Sequence, residues 1–442
     1  MSLLDHEEAK LLLKDAEVTA AVVRGCRQRL AGYLKRYLPC FARVEQRGHA
    51  RLVVEGRLTR LERKTSEPIA RQAGVERHPV QVFVGAGKWD DDEVMAEVRR
   101  HVREAFADPD ATFVLDGSGF PKKGTESCGV QRQWCGRLGK VDNCQVGVFL
   151  ACMSEGRVSP LHRRLYLPRD WAADTNRRNK CHVPSTVRFA EKWQIGLKLI
   201  RDSRDVPHGW IVADDEYGRV GKFRARLRQW KERYVLDVPC NTLVRVEEPA
   251  PTTPPRSRIP RRRRGRPRKP AWVRVDQWTA AQPATRWQRL TVRPGEKGPL
   301  EVDVLTAEVE TRDKSHERLL VIRTVEAVPQ THYCLSNAAA RVPVDELVWA
   351  HDDRHRVEDM FALGNGEVGL DHYEVRSWVG WHHHMTLSLL ALWFLVLERQ
   401  RIGKKNTRHH GASSPGHLQS VAPATRSHTG TDRRNHQRRP AA

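Results

Sequence analysis

The sequence lacks the apolar run that a membrane span requires. Its longest candidate, residues 387–397, is broken by Ser388 and falls well short of the ~20 residues needed to cross a bilayer. The opening decapeptide, MSLLDHEEAK, is acidic and lacks the basic-then-apolar layout of a secretory leader. The expectation is therefore a cytoplasmic chain with no membrane partner. Paired cysteine motifs are missing too. The nine cysteines are odd in number and none forms a C-x-x-C, which excludes a disulfide frame and points to reduced, buried thiols. A zinc site on Cys128, Cys135 and Cys144 would need ligand spacings that these residues do not have. Acidic residues are also in short supply. Against 77 Lys and Arg stand 54 Asp and Glu, a formal charge of +23. An excess of that size repels itself in the folded chain and is neutralised by a polyanion. Nucleic acid fits best, because each neutralised phosphate releases counterions.

At 442 residues the chain is long enough for two or three domains. Residues 1–108 are charged, with helix-like stretches at 5–26 and 91–106, and read as a helical N-terminal domain that could bind DNA. From 109 to 240 the pattern becomes α/β. Apolar runs at 111–115, 145–153 and 161–167 read as strands. Ser185 is placed to cap a helix running to about Ile200. Residues 210–213 form another apolar run, followed by a basic helix at 222–233 and a strand at 234–238. Residues 241–330 read as an inserted, mostly β subdomain reached through a basic loop, where Arg256 to Pro270 holds nine basic residues and no acid. Helical periodicity returns over 331–400. Residues 401–442 are rich in Arg, His, Gly and Ser and have the composition of a disordered basic tail.

Three acids stand where a cation site could form. Asp116 and Asp214 each follow a buried strand run, and ligands of open α/β sheets bind beyond the carboxyl ends of strands. An Asp in that place is otherwise an ordinary turn residue. The third comes from a helix on which His351, Arg354, Glu358 and Asn365 share one face. That stripe is otherwise a solvated Arg–Glu pair, and Asp359, Glu367 and Glu374 remain alternatives for the third ligand. His382, His383 and His384 stand about 100° apart on a helix and cannot converge on one ion.

These residues carry a resemblance. Asp116-Gly-Ser-Gly-Phe-Pro-Lys-Lys-Gly124, Ala213-Asp-Asp-Glu-Tyr-Gly218, and Arg354-x3-Glu358 followed by Gly366-Glu-Val-Gly-Leu-Asp-His-Tyr-Glu-Val-Arg376 occur in order. They resemble the three acidic blocks of the DDE superfamily of insertion-sequence transposases, in the branch with a Tyr-x2-Arg-x3-Glu-x6-Lys signature. The likeness covers residues 110–400. His351 stands at the Tyr position and Asn365 at the Lys position, on a face that grips the transposon end in the family.

The resemblance implies an RNase H-like catalytic domain with a β insertion. It also implies Asp116, Asp214 and Glu358 as catalytic metal ligands for two Mg²⁺ ions, which Mn²⁺ could replace. In that reading one ion between Asp116 and Asp214 activates water or a 3′-hydroxyl, and the second, between Asp116 and Glu358, stabilises the leaving oxygen. The substrates are double-stranded DNA: terminal inverted repeats and target DNA, held by a homodimer at the bacterial nucleoid. Lys122, Lys123 and Arg354 are the candidate phosphate contacts. Arg264 and Arg266, in an Arg-Gly-Arg-Pro core, resemble an AT-hook that enters the minor groove; a basic loop touching phosphates alone is the competing reading. A nuclease that cuts without joining, and a non-catalytic DNA-binding protein from a decayed or domesticated transposase, are the rival functions.

Overall fold

The computed structural model describes residues 20–246, 270–295 and 298–406. The chain divides into two units. The smaller contributes residues 20–31 and 398–406 to the described set, and the larger is Gly32–Leu397. In the smaller unit Arg29 donates two hydrogen bonds of 2.7 Å to the Glu398 carboxylate.

Among the described residues, five α-helices precede the first strand: α1 (Ala20–Tyr37), α2 (Val44–Arg57), α3 (Ser66–Ala73), α4 (Arg77–Ala86) and α5 (Asp91–Phe106). The last shows why such a charged segment folds. Asp90 accepts from the Asp92 and Glu93 amides at 2.9 and 3.3 Å, satisfying donors that the first turn leaves open. Val94, Val98 and Val102, four apart, are fully buried on one face.

Among the described residues the strands form one mixed sheet of twelve. Its centre is β1 (Thr112–Pro121), β5 (Trp210–Ala213) and β6 (Tyr234–Asp237), mutually parallel. These strands are buried on both faces, which is why each reads as a continuous apolar run and not as an alternation. On one side β3 (Lys140–Ser154) runs antiparallel to β1 and carries β2 (Gln131–Cys135) and β4 (Arg157–Leu165) on its far edge. On the other side β12 (Thr331–Ser336) pairs antiparallel with β6. Beyond it lie β11 (His316–Thr324), β10 (Gly298–Thr311), β7 (Leu243–Val246) and β8 (Val273–Arg274), with β9 (Gln288–Gly295) also on β10. The strands after residue 240 thus extend the central sheet and do not close a separate one. Their core is aliphatic: Val244, Val275, Leu305, Val309, Leu319 and Val321 are buried together.

The remaining helices are α6 (Arg169–Ala173), α7 (Thr175–Lys180), α8 (Lys192–Arg201), α9 (Asp215–Gly218), α10 (Gly221–Gln229), α11 (Val275–Ala280), α12 (Val344–Val368) and α13 (Trp378–Asn406). Of these, α12 packs across β1, β5 and β6.

Two expectations need correction. Strand β1 does not end at Asp116. Residues 117–121 stay extended and pair with residues 144–148 of β3, so the Gly-Ser-Gly segment is strand and not turn. The helix expected from Ser185 starts at Lys192: residues 184–187 close a turn, with the Val187 amide 3.0 Å from the Pro184 carbonyl. Reciprocal capping between Glu191 and Gln194 sets the true start. Among the cysteines, Cys128 lies against Cys181 and Cys135 against Cys144.

Candidate active site

Parallel pairing brings the first two acids together. Leu115 pairs with Ala213, so Asp116 and Asp214 occupy the next matched positions, where β5 has ended and β1 continues. In-register residues of adjacent strands project to the same face. Ala213 pairs in turn with Leu236, which adds Asp237 to the row. Three aspartates therefore stand side by side across the three parallel strands, at the carboxyl ends of β5 and β6 and midway along β1, and α12 lies over them.

Each carboxylate is fixed differently. Asp116 accepts from the Gly117 amide at 2.7 Å. Asp214 caps α9 by accepting from the Glu216 amide at 3.0 Å. Asp237, the most enclosed, accepts from His351 Nε2 at 2.9 Å and from the Cys334 thiol at 3.2 Å. Arg354 Nε lies 3.0 Å from its second oxygen. Gly218 makes the packing possible, since a methyl group there would overlap the Asp237 carbonyl oxygen.

The electrostatics separate the three acids. Burial pushes Asp116 up to about 6, with Glu358 and Glu216 adding to the rise and Arg354 opposing it. Burial and then the Asp116 charge push Asp214 up to about 7. Burial would raise Asp237 as well, but His351 and Arg354 hold it below the usual carboxylate range. So one member of the row is a settled anion paired with Arg354. The other two are carboxyls crowded together without enough positive charge, and a bound cation relieves that crowding. The donors are all oxygen, as a hard divalent ion prefers. Asp116, Asp214 and the nearby Glu358 therefore suit such an ion.

Glu358 is exposed on α12, and its influence on Asp116 places it within electrostatic reach. The Asp116–Asp214–Glu358 set is open. The groups of three ligand atoms within 4.8 Å of one another among the described residues lie one strand over, at His332, His351 and His355 and at Asp237, Cys334 and His351. Burial lowers His332, and lowers His355 to about 3.

Other candidates fall elsewhere. Arg354 faces the aspartate row and is paired with Asp237. Lys122 follows β1 six residues after Asp116, roughly 20 Å along the strand. Its ammonium group lies 3.4 Å from the Tyr373 ring centre and donates to the Tyr373 carbonyl. Lys123 is exposed. Asn365 is half-buried with an unpartnered Oδ1. Arg264 and Arg266 lie outside the described residues, as does the tail after residue 406. His382, His383 and His384 turn to three different carbonyls, those of Trp378, Trp89 and Leu370. An open groove of about 710 Å³, lined in part by Trp278, Arg286 and Arg318, belongs to the extended sheet region. It contains none of Asp116, Asp214, Asp237 and Glu358.

The family profile of the DDE superfamily endonucleases matches residues 36–299. The chain belongs to that superfamily. The match takes in Asp116 and Asp214 and ends before Glu358. Over 195 residues the chain is also 25% identical to a probable transposase for insertion sequence element IS701 from Microchaete diplosiphon. That alignment covers 43% of this chain and 48% of the relative, so it spans about half the length of that curated protein. For a DDE endonuclease, Asp237 is the residue the sequence reading missed, although its partners His351 and Arg354 were singled out. A strand-ending Asp has no local signal, and its partner His351 stands 114 residues further on.

Proposed function

We propose that this DDE endonuclease is a DNA transposase. It would cut phosphodiester bonds at the ends of an insertion sequence and join them to target DNA, using an RNase H-like catalytic centre formed by Asp116, Asp214 and Glu358. The observation that carries the reading is the matched placement of Asp116 and Asp214 on neighbouring buried strands beneath the helix that bears Glu358. Asp116 and Asp214 would hold one divalent cation, and Asp116 with Glu358 a second. Bound there, Mg²⁺ or Mn²⁺ would supply charge neutralisation for an in-line phosphoryl displacement.

The chain's own residues do the positioning. Asp237 anchors Arg354, whose charge opposes the rise of both Asp116 and Asp214 and keeps them closer to ionisation. The pairing of Lys192 with Glu216 at 2.8 Å restrains a further carboxylate beside Asp214. Lys123 and the Arg264 and Arg266 segment would contact DNA outside the reacting centre, and two copies of the chain would bring a pair of ends together. Among the described residues no helix is long and apolar enough to cross a membrane, and the work proposed here is on chromosomal DNA in a bacterial cytoplasm.

The test is cleavage of a duplex bearing the element's own flanking inverted repeat, with Mg²⁺, by the full chain and by Asp214→Ala. Cuts at the repeat boundary that vanish in the variant are expected. A wild-type chain that binds the duplex without cutting it would instead be the non-catalytic DNA-binding protein, and Asn365→Lys would then test for a decayed enzyme.

A further inference from the structure

We propose that His332, His351 and His355 form a zinc site that fastens the helix carrying Glu358 to the sheet. The site is separate from the carboxylate centre and does not depend on the transposase reading. His351 and His355 are four apart on α12 and so share a face, while His332 comes from β12. The three ring centroids lie 5.3, 5.3 and 5.4 Å apart, and the rings are mutually inclined by 57°, 75° and 76°. Imidazoles bound to a tetrahedral ion at about 2.0–2.1 Å place their centroids roughly 5.2 Å apart, so the triangle already has the dimensions of a three-histidine site. One ring nitrogen from each residue lies within 4.8 Å of the other two.

A second feature points the same way. The Asp237 carboxylate engages His351 Nε2 at 2.9 Å, which leaves Nδ1 as that ring's lone-pair donor. A carboxylate that orients a ligating histidine in this manner is the usual outer partner of a zinc-bound imidazole. Imidazole nitrogen selects a borderline ion such as zinc over magnesium, whose preference is oxygen. Three protein ligands leave a fourth position for water. His355 stands one turn before Glu358, so the ion would set the position of the helical turn that carries the third acid.

The experiment measures zinc bound per chain after the full-length protein is dialysed against zinc and then metal-free buffer, with Co²⁺ absorption as the reporter of four-coordinate geometry. One equivalent is expected for the wild type and for Asp116→Ala/Asp214→Ala, and none for His332→Ala/His355→Ala. Asp237→Asn is expected to weaken zinc binding by about 10- to 100-fold. The double histidine variant should keep the wild-type circular dichroism spectrum, and zinc should raise the melting temperature of the wild type but not of that variant. A wild type that retains no zinc overturns the proposal. So does retention unchanged in the histidine variant, or retention lost in the aspartate variant.

Discussion

At the scale of single residues, the site is a contrast between neighbours of one chemical type. Asp237 is satisfied by His351 and Arg354, whereas Asp116 and Asp214 are buried against each other with their protons held to about 6 and about 7. An unfolded Asp titrates near 3.9. A carboxyl whose folded value lies above that stabilises the fold below about pH 4, and loses its contribution as the pH rises through the folded value. Metal-free protein is therefore expected to lose stability between about pH 4 and pH 7, by on the order of 3–4 kcal/mol per group. Asp214→Asn should flatten that loss. Mg²⁺ should raise the melting temperature more at pH 7.5 than at pH 5, because only the ionised carboxyls bind it. Calorimetry across that range checks all three. A melting temperature that Mg²⁺ shifts equally at both values would remove the link between these protons and the cation.

At the scale of elements, the site depends on how closely α9 approaches the end of β6, and Gly218 sets that distance. Gly218→Ala is expected to cost about 1–3 kcal/mol, since the added methyl meets backbone and not a yielding side chain. Gly366→Ala, on α12 with nothing within 4 Å of the added carbon, is expected to stabilise by about 0.4–1 kcal/mol through the unfolded chain. Urea denaturation of both variants measures the contrast, and equal midpoints would refute it. The same elements mark what the sequence could reveal. Strands β1, β5 and β6 were legible because burial on both faces leaves an unbroken apolar run, and the helix-like stretch at 91–106 is α5. The continuation of β1 past Asp116 was not, because two glycines around a serine have the composition of a turn and only pairing with β3 makes them strand. The start of α8 was misplaced because Ser185 looks like a cap, while the real capping pair, Glu191 and Gln194, is weaker as a signal. Asp116 and Asp214 could be picked out, but their adjacency rests on strand order, which no local pattern encodes. Asp237, His332 and His355 were missed for the same reason, since their partners come from β6, β12 and α12.

At the scale of the whole molecule, the excess of basic residues is the feature that most directly concerns DNA. With +23 formal charges, binding to any duplex should weaken linearly in log–log terms as salt rises, with a slope near 0.9 per phosphate neutralised. The Arg261–Lys269 segment offers two separable contributions to that slope. If Arg264 and Arg266 only touch phosphates, Arg264→Ala/Arg266→Ala lowers the slope by about 2 and weakens all duplexes alike. If they enter the minor groove, the loss falls mainly on A·T-rich duplexes, whose narrow groove concentrates negative potential. The likeness of the Arg-Gly-Arg-Pro core to an AT-hook is what makes the second outcome worth measuring. Fluorescence anisotropy with A·T-rich and G·C-rich duplexes at several salt concentrations distinguishes the two. The expected result is an affinity loss several times larger on A·T-rich DNA; a uniform loss would reduce the segment to a phosphate clamp. In neither case should the variant alter the Mg²⁺-dependent stabilisation expected at Asp116 and Asp214, because in the proposed reading the segment would hold DNA and not shape the carboxylate row.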